Sequence, residues 1–249
     1  MTVVCDKTAI IIPARYGSTR LEGKPLLKVN SKPIIQWVVE TAKSVSGVDY
    51  VIVATDDERI FNACKNFNSD VQMTSKEHKS GTDRVAEVVE KLPDVKYIVN
   101  LQGDEPMMTK DAVQKVIDSL KSNDDADIST LIRVERDETD LQNPNLVKCV
   151  IDNNGFALYF SRSKIPYERN PICGDFYVHL GIYGYKREAL FNMRALPQTQ
   201  LEKTESLEQL RALQNGMRII TSVVDIKPIG IDTMEDFERF KQSVTLSHN

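Results

Sequence analysis

The sequence has few of the features that mark secreted, membrane or nucleic-acid-binding proteins. Only four of its 249 residues are cysteines, and their wide spacing indicates reduced thiols rather than a zinc site or a disulfide framework. We expect no signal peptide, and no apolar run reaches the roughly 20 residues that cross a bilayer. Lys and Arg number 32 against 36 Asp and Glu, which argues against nucleic acid as the main partner. We therefore expect a cytoplasmic protein that binds neither membranes nor nucleic acids.

The chain does contain 41% apolar residues, enough for a substantial core, and a regular alternation of strand and helix patterns. In the first half these patterns predict strands at 8–13, 50–54, 97–101 and 127–132, and helices at 33–45, 57–66, 82–91 and 110–120. Such alternation predicts an α/β fold with a Rossmann-like, doubly wound parallel sheet. Ligands of such sheets bind at the carboxyl ends of the strands.

The second half of the chain changes character. Its patterns predict short strands at 146–151, 156–160, 178–185 and 218–224, and helices at 200–214 and 234–242. Asn153-Asn154-Gly155 is a hairpin turn signal between the first two of these strands, and Asn215-Gly216 is a helix stop signal. We predict a single domain over residues 1–249, with a smaller β-rich lobe at about 134–200.

The loop after the first predicted strand concentrates groups that suit phosphates. Its members are Arg15, Gly17, Ser18, Arg20, Gly23 and Lys24. Glycines allow close approach of the backbone to a ligand, and N–H groups together with cations suit an oligophosphate. The loop is not a Walker A motif, because five residues separate its glycines and Pro25 stands where a Ser or Thr binds Mg²⁺. The alternative is a basic surface turn.

Two carboxylates stand where α/β proteins build sites. Asp104 follows the predicted strand at 97–101, and Asp232 precedes the predicted helix at 234–242. Brought together, they could hold Mg²⁺, which prefers hard oxygen ligands and shares them with phosphates. The alternatives are a simple turn at Asp104 and a helix cap at Asp232 or Thr233.

A third group of polar residues lies on the predicted strand at 178–185 and the predicted helix at 200–214. The period of two places His179, Gly181, Tyr183 and Tyr185 on one face of the strand. Helical spacing brings Glu205, Glu208 and Gln209 close together. These donors and acceptors suit a polyhydroxy ligand, although a solvated sheet face and an ordinary amphipathic helix are the alternatives.

Motifs along nearly the whole chain resemble one known family. A strand ending in Pro-Ala-Arg, then Gly-Ser-x-Arg-Leu-x-Gly-Lys, resembles the nucleotide-sugar cytidylyltransferases, and so does Gln-Gly-Asp-x-Pro after a strand. The branch that activates 3-deoxy-manno-octulosonate (Kdo) is matched by Ser-Gly-Thr-Asp-Arg at 80–84, His-Leu-Gly-Ile-Tyr-Gly-Tyr at 179–185 and Ile-Asp-Thr-Met-Glu-Asp at 231–236. The chain departs from the family pattern at Glu22, where proline is common.

The resemblance implies a nucleotidyltransferase fold of the GT-A-like type, and an enzyme that transfers CMP from CTP to Kdo for lipopolysaccharide biosynthesis. It implies Mg²⁺ on Asp104 and Asp232, with Arg15 and Lys24 also catalytic. Nucleotide contacts would come from Arg15, Gly17, Ser18, Lys24, Ser80 and Gln102. The sugar-acid pocket would comprise Arg84, Gln102, Arg162, His179, Tyr183, Glu208 and Gln209. The partners it implies are CTP, a 3-deoxy-ulosonic acid and a second copy of the chain in a homodimer.

Three alternatives to this function stay open. The same reaction could use 8-amino-Kdo or another sialic-type acid. The protein could be an inactive, nucleotide-sensing homologue, although the joint presence of Lys24, Asp104 and Asp232 argues against a catalytically inactive site. It could be a glycosyltransferase, but that class is expected to carry Asp-x-Asp after a strand, and here Glu105-Pro106 follows Asp104.

Overall fold

The chain folds into two units of mixed α/β structure, which the computed structural model describes for residues 6–17, 21–170 and 175–246. The first unit runs up to Gln114 and resumes at Pro228, and the second covers Lys115–Lys227. The β-rich lobe predicted at about 134–200 lies within the second unit.

The described elements alternate along the chain much as the sequence predicts. The strands are β1 (Lys7–Ala14), β2 (Lys28–Val29), β3 (Lys32–Pro33), β4 (Tyr50–Thr55), β5 (Asp70–Met73), β6 (Val95–Asn100), β7 (Ile128–Glu135), β8 (Lys148–Ile151), β9 (Ala157–Ser161), β10 (Phe176–Lys186) and β11 (Ile219–Val223). The helices are α1 (Ile34–Ser44), α2 (Glu58–Asn66), α3 (Gly81–Glu90), α4 (Lys110–Ser122), α5 (Glu138–Gln142), α6 (Arg187–Ala195), α7 (Gln200–Glu205), α8 (Gln209–Gln214) and α9 (Met234–Leu246). A 3₁₀ turn covers Lys24–Leu26.

The first unit contains a parallel sheet in the order β6-β1-β4-β5. The chain moves outward from β1 through β4 to β5 and then returns to the other side of β1 as β6. The strand order therefore reverses between β1 and β6, and this is the point where open α/β sheets form a ligand crevice at the carboxyl ends of their strands. The predicted parallel, doubly wound sheet is confirmed.

Apolar side chains on both faces of the central strand explain this arrangement. Ile10, Ile11 and Ile12 of β1 are all fully buried, which is typical of a parallel strand covered by helices on both sides. In α1 the buried residues recur at helical spacing, and Trp37 on its margin meets Phe240 of α9 edge-to-face, with ring centroids 5.8 Å apart. The last helix therefore packs onto the first within this unit.

The second unit is largely antiparallel. Its sheet runs in the order β11-β7-β10-β8-β9, and only the β11–β7 pair is parallel. The hairpin predicted between β8 and β9 is confirmed, with Gly155 at φ 84° in its turn. Residue Gly216 ends α8 at φ 78°, as the stop signal predicts.

The single helix predicted at 200–214 is wrong. The structure breaks it at Ser206, which adopts the left-handed conformation at φ 53° and separates α7 from α8. Arg162 gives the physical reason: its Nε donates to the carbonyl of Glu205 at 2.7 Å and its Nη2 to that of Ser206 at 3.3 Å. The guanidinium thus satisfies carbonyls at the end of α7 that a continuous helix would have bonded internally.

Candidate active site

A polar cleft of about 430 Å³ lies in the first unit where β1 and β6 end, at the reversal of strand order. Its lining comprises Pro13, Ala14, Arg15, Gly17, Lys24, Pro25, Gly81, Arg84, Gln102, Gly103, Asp104 and Asp232. The volume falls in the range of small-molecule sites. The cleft therefore gathers seven of the residues predicted for the site: Arg15, Gly17, Lys24, Arg84, Gln102, Asp104 and Asp232.

The ammonium of Lys24 joins the two predicted metal ligands. Its Nζ donates to the Asp104 carboxylate and, at 3.1 Å, to Asp232 Oδ1. Burial lowers the pKa of Lys24, but the two carboxylates outweigh burial, so the pKa lies above its ordinary value. Residues that are 128 positions apart in sequence therefore converge on one cation.

Local hydrogen bonds explain how Asp232 reaches this place. The amide of Ile231 donates to the carbonyl of Asp104 at 2.9 Å, which ties the end of the last loop to the β6 loop. The cap of α9 is made by Thr233, whose Oγ1 accepts from the amide of Asp236 at 3.2 Å, while the Asp236 carboxylate accepts from the amides of Asp232 and Thr233. The helix-cap alternative thus applies to Thr233, and the carboxylate of Asp232 stays directed at Lys24.

The donor set fits a Mg²⁺ ion. Carboxylate oxygens of Asp104 and Asp232 already converge on a single cationic atom, the Lys24 Nζ. Within the described part of the chain, no cluster of three or more His, Cys, Asp or Glu side chains could hold a metal ion. Two carboxylates suit Mg²⁺, because this ion commonly takes one or two protein carboxylates and completes its shell with water and substrate phosphates.

Glu105 is a third carboxyl beside this pair. Its Oε2 is buried without a hydrogen-bond partner among the described residues, and its side chain lies against Gly230, where an added Cβ would come within 2.8 Å of Oε1. Burial, reinforced by the charges of Asp104 and Asp232, raises the pKa of Glu105 to about 8. In the absence of metal, Glu105 is therefore largely protonated at neutral pH.

Arg84 is held rigidly at the wall of the cleft. Its side chain is 1% exposed, its Nη2 donates to Asp56 Oδ2 at 2.8 Å and its Nη1 donates to the Thr74 hydroxyl. Nearby, Gln102 Nε2 donates to Asn100 Oδ1 at 3.0 Å. No motif in the sequence marks Asp56 or Thr74 as site residues. Asp56 directly follows β4, so the rule that sites form at carboxyl ends of strands would have indicated it.

The other residues predicted to contact the nucleotide, Arg15, Gly17, Ser18 and Ser80, differ in their surroundings. Arg15 and Gly17 are exposed along the cleft. Ser18 lies outside the described residues. Ser80 caps α3: its Oγ accepts from the amide of Asp83 at 3.1 Å while the Asp83 carboxylate accepts from the Ser80 amide. A contact of Ser80 with a nucleotide stays a prediction.

In the second unit, the predicted aromatic and imidazole groups of β10 do stand side by side. Ring centroids are 5.3 Å apart between His179 and Tyr183 and 6.0 Å apart between Tyr183 and Tyr185. Phe160 of β9 meets His179 edge-to-face at 5.2 Å. A register shift interrupts β10 between Leu180 and Tyr183, but the rings of His179, Tyr183 and Tyr185 remain neighbours, as predicted.

Thr130 of β7 determines the state of this imidazole. Its hydroxyl donates to the carbonyl of Ile182 at 2.7 Å, so it accepts from His179 Nε2, 2.9 Å away. Burial lowers the pKa of His179 to about 3, and the ring is neutral. Its Nδ1 is then a hydrogen-bond acceptor. No local sequence signal indicates Thr130, since 49 residues separate it from His179.

Arg162, Glu208 and Gln209 also lie in the second unit. Besides its bonds at the end of α7, Arg162 donates to the carbonyl of Pro144 at 2.9 Å, so its guanidinium chiefly ties backbone segments together. Glu208 stands at the start of α8 with its carboxylate 3.6 Å from Arg211, and Gln209 is buried. Contacts of these three residues with a sugar acid stay predictions.

Comparison with known proteins agrees with this geometry. The sequence profile of the cytidylyltransferase family matches residues 9–219. The chain therefore belongs to the cytidylyltransferase family and is a nucleotidyltransferase. A 3-deoxy-manno-octulosonate cytidylyltransferase from Thermodesulfovibrio yellowstonii is 48% identical over 93% of this chain and 95% of the relative, and one from Fusobacterium nucleatum is 46% identical over 92% and 93%. Within its family the chain is thus grouped with the 3-deoxy-manno-octulosonate cytidylyltransferases, and the resemblance read from the motifs is confirmed.

Solved structures extend the comparison to the fold. CMP:2-keto-3-deoxy-manno-octonic acid synthetase complexed with CTP matches with a TM-score of 0.93 and 41% identity, covering 97% of this chain and 99% of that one. The 4-diphosphocytidyl-2C-methyl-D-erythritol synthase of Anaerococcus prevotii has a TM-score of 0.65 at 15% identity over 96% of this chain and 99% of that one, which shows a shared fold. The predicted α/β class is confirmed. Within the described residues, no helix has the length and apolar character needed to cross a bilayer.

Proposed function

We propose that this enzyme transfers CMP from CTP to Kdo, giving CMP-Kdo and diphosphate. The observation that carries the proposal is the convergence of Lys24, Asp104 and Asp232 in a cleft at the strand-order reversal, in a chain 48% identical to a 3-deoxy-manno-octulosonate cytidylyltransferase. The anomeric hydroxyl of Kdo attacks the α-phosphorus of CTP, and the bond from that phosphorus to the oxygen bridging to the β-phosphorus breaks. Diphosphate leaves with the bridging oxygen, and the hydroxyl proton passes to solvent.

The cations of the cleft bind the triphosphate. Phosphoryl transfer depends mostly on positioning and charge stabilisation, and a covalent nucleophile is not needed. Arg15 is exposed at the cleft, and Lys24 carries an ammonium whose raised pKa keeps it charged. We infer that both neutralise charge that accumulates on the departing diphosphate.

Asp104 and Asp232 would hold Mg²⁺. When bound, this ion would supply a Lewis acid for phosphate oxygens and lower the pKa of a coordinated hydroxyl. Lys24 now occupies the point where the two carboxylates converge, and we infer that its ammonium moves to the phosphates when CTP and the metal bind. The carboxylates keep that ammonium in the cleft beforehand.

Residues of the second unit supply the groups for the sugar acid. The neutral His179 offers Nδ1 as an acceptor for a sugar hydroxyl, because its Nε2 keeps the proton and donates a hydrogen bond to the Thr130 hydroxyl. The Tyr183 phenol stays protonated, since burial raises its pKa well above the ordinary value. We infer that these two groups, with Gln209, favour a polyhydroxy ligand.

Diphosphate release tests the proposal directly. The purified protein is incubated with CTP, ATP, GTP or UTP and with Kdo, 8-amino-Kdo or N-acetylneuraminate, with and without Mg²⁺. We expect release with CTP and Kdo only in the presence of Mg²⁺. Faster turnover of 8-amino-Kdo or the sialic acid would change the substrate but keep the reaction, and no release with any pair would favour a nucleotide-sensing protein.

Three further properties belong to the same proposal. We infer that the enzyme acts in the cytoplasm, that its product serves lipopolysaccharide biosynthesis, and that it works as a homodimer. The family membership supports them. Light scattering of the purified protein tests the dimer, and loss of Kdo-containing lipopolysaccharide on depletion tests the pathway.

A further inference from the structure

The side chain of Arg59 stacks on the ring of Tyr16, which belongs to the same loop as Lys24. The guanidinium carbon of Arg59 lies 3.2 Å from the centroid of the Tyr16 ring, well within the range of a cation–π contact. Tyr16 belongs to the loop after β1, and Arg59 belongs to the first turn of α2. The pair therefore connects a candidate phosphate-binding segment to a rigid helix.

Arg59 is itself fixed in place. Its Nε and Nη2 donate to the two carboxylate oxygens of Asp57 at 2.9 and 2.7 Å, a bidentate arrangement. Asp57 also caps α2, because its Oδ1 accepts from the amide of Arg59 at 2.9 Å. The hydrogen bonds that Arg59 donates to Asp57 raise the pKa of Arg59, and the negative charge of Glu22 acts in the same direction.

Tyr16 in turn fixes Gly23 in two ways. The amide of Gly23 donates to the carbonyl of Tyr16 at 2.9 Å, and a Cβ at position 23 would lie 2.9 Å from Tyr16 Cζ. Gly23 has φ 68°, which glycine adopts without strain, and it begins the 3₁₀ turn Lys24–Leu26. The backbone and the ring of Tyr16 therefore both lie against the residue that precedes Lys24.

We propose that Arg59 is a positioning residue for CTP: through Tyr16 it holds Gly23, and so it places the Lys24 ammonium in the cleft. This rests on the proposed function only for the identity of the nucleotide. A loop with two glycines loses much conformational entropy when it is ordered, and a preformed loop binds its ligand more tightly. Residue 22 is Glu and not proline, so the backbone at that position adds no such restraint.

The test compares wild type with Arg59→Ala, Tyr16→Ala, Tyr16→Phe and the double variant Arg59→Ala/Tyr16→Ala. Lys65→Ala is the matched control, because it removes another exposed cation from α2 that lies over a different ring, Phe61. Calorimetry gives the Kd for CTP without sugar acid, steady-state kinetics give KM and kcat, and thermal unfolding gives Tm.

We expect Arg59→Ala to raise the Kd and KM for CTP about two- to fivefold, the size of an exposed cation–π contact, while the KM for the sugar acid and Tm stay unchanged. Tyr16→Phe should behave as wild type, because the ring is kept. The double variant should be no worse than Tyr16→Ala, since both changes break one chain of contacts.

Unchanged CTP affinity in Arg59→Ala would overturn the proposal, as would an equal effect in Lys65→Ala or additive effects in the double variant. Because calorimetry reports CTP binding without turnover, it separates this proposal from the choice of sugar acid. A wild type that binds CTP but releases no diphosphate would contradict the proposed function and leave the test of Arg59 intact.

Discussion

Gly103 provides a sharp test of how the cleft is built. It lies between β6 and Asp104, its amide donates to the carbonyl of Pro13 at 3.2 Å, and a Cβ added to it would lie 2.9 Å from that same oxygen. The added methyl would also lie 3.2 Å from Ala14 Cβ and from Ile35 Cδ1. The backbone oxygen belongs to the buried strand β1, so it cannot move away without straining the sheet.

We therefore expect Gly103→Ala to destabilise the fold by about 1–3 kcal/mol, the usual cost of forcing a methyl group into a well-packed site. For a chain of this size that corresponds to a fall in Tm of about 2–12 °C. Because Asp104 is the next residue, the backbone shift that relieves the contact also displaces its carboxylate from Lys24. Turnover should fall more than the unfolded fraction explains.

Thermal unfolding and diphosphate release, measured on the same preparations, check both parts. Gly17→Ala is the control for stability, since no described atom beyond its chain neighbours lies within 4 Å of its Cβ position and its φ is not positive. A Gly103→Ala protein with the wild-type Tm and full turnover would refute the packing argument. Equal losses of Tm in both variants would show that the clash with Pro13 is not the cause.

Three further changes test other parts of the site. Asp232→Asn should abolish most Mg²⁺-dependent turnover while keeping the fold, and near-normal activity would remove this residue from the metal site. Glu105→Gln, measured in EDTA, tests the raised pKa of Glu105. Between pH 4.5 and about 8 the folded state of wild type holds more protons than the unfolded state, so its free energy of unfolding falls as pH rises. The variant should not show this fall, because its amide does not titrate. An identical pH dependence in both proteins would contradict a buried, partnerless carboxyl. His179→Ala should raise the KM for Kdo strongly and that for CTP only slightly, and comparable increases in both would exclude a specific sugar-acid role.

The sequence by itself determined the types of most elements and the strand ends at which polar groups of the cleft lie. Ile10–Ile12 is an apolar run typical of a covered parallel strand, and the carboxyl-end rule then pointed to Lys24 and Asp104. These predictions worked because period and strand ends are local properties. The same local reasoning was wrong at Ser206, where Arg162 from another segment takes the carbonyls that a continuous helix would use.

Only the tertiary structure decided which groups meet. The convergence of Asp104 and Asp232 on Lys24, the tautomer of His179 set by Thr130, and the stack of Arg59 on Tyr16 all depend on side chains that are distant in sequence. No periodicity encodes them, because a hydrogen bond or ring contact depends on distances of a few ångströms that are fixed only after the strands have paired. The sequence supplied the chemical groups, and the packing of the chain set their partners, their charges and their pKa values.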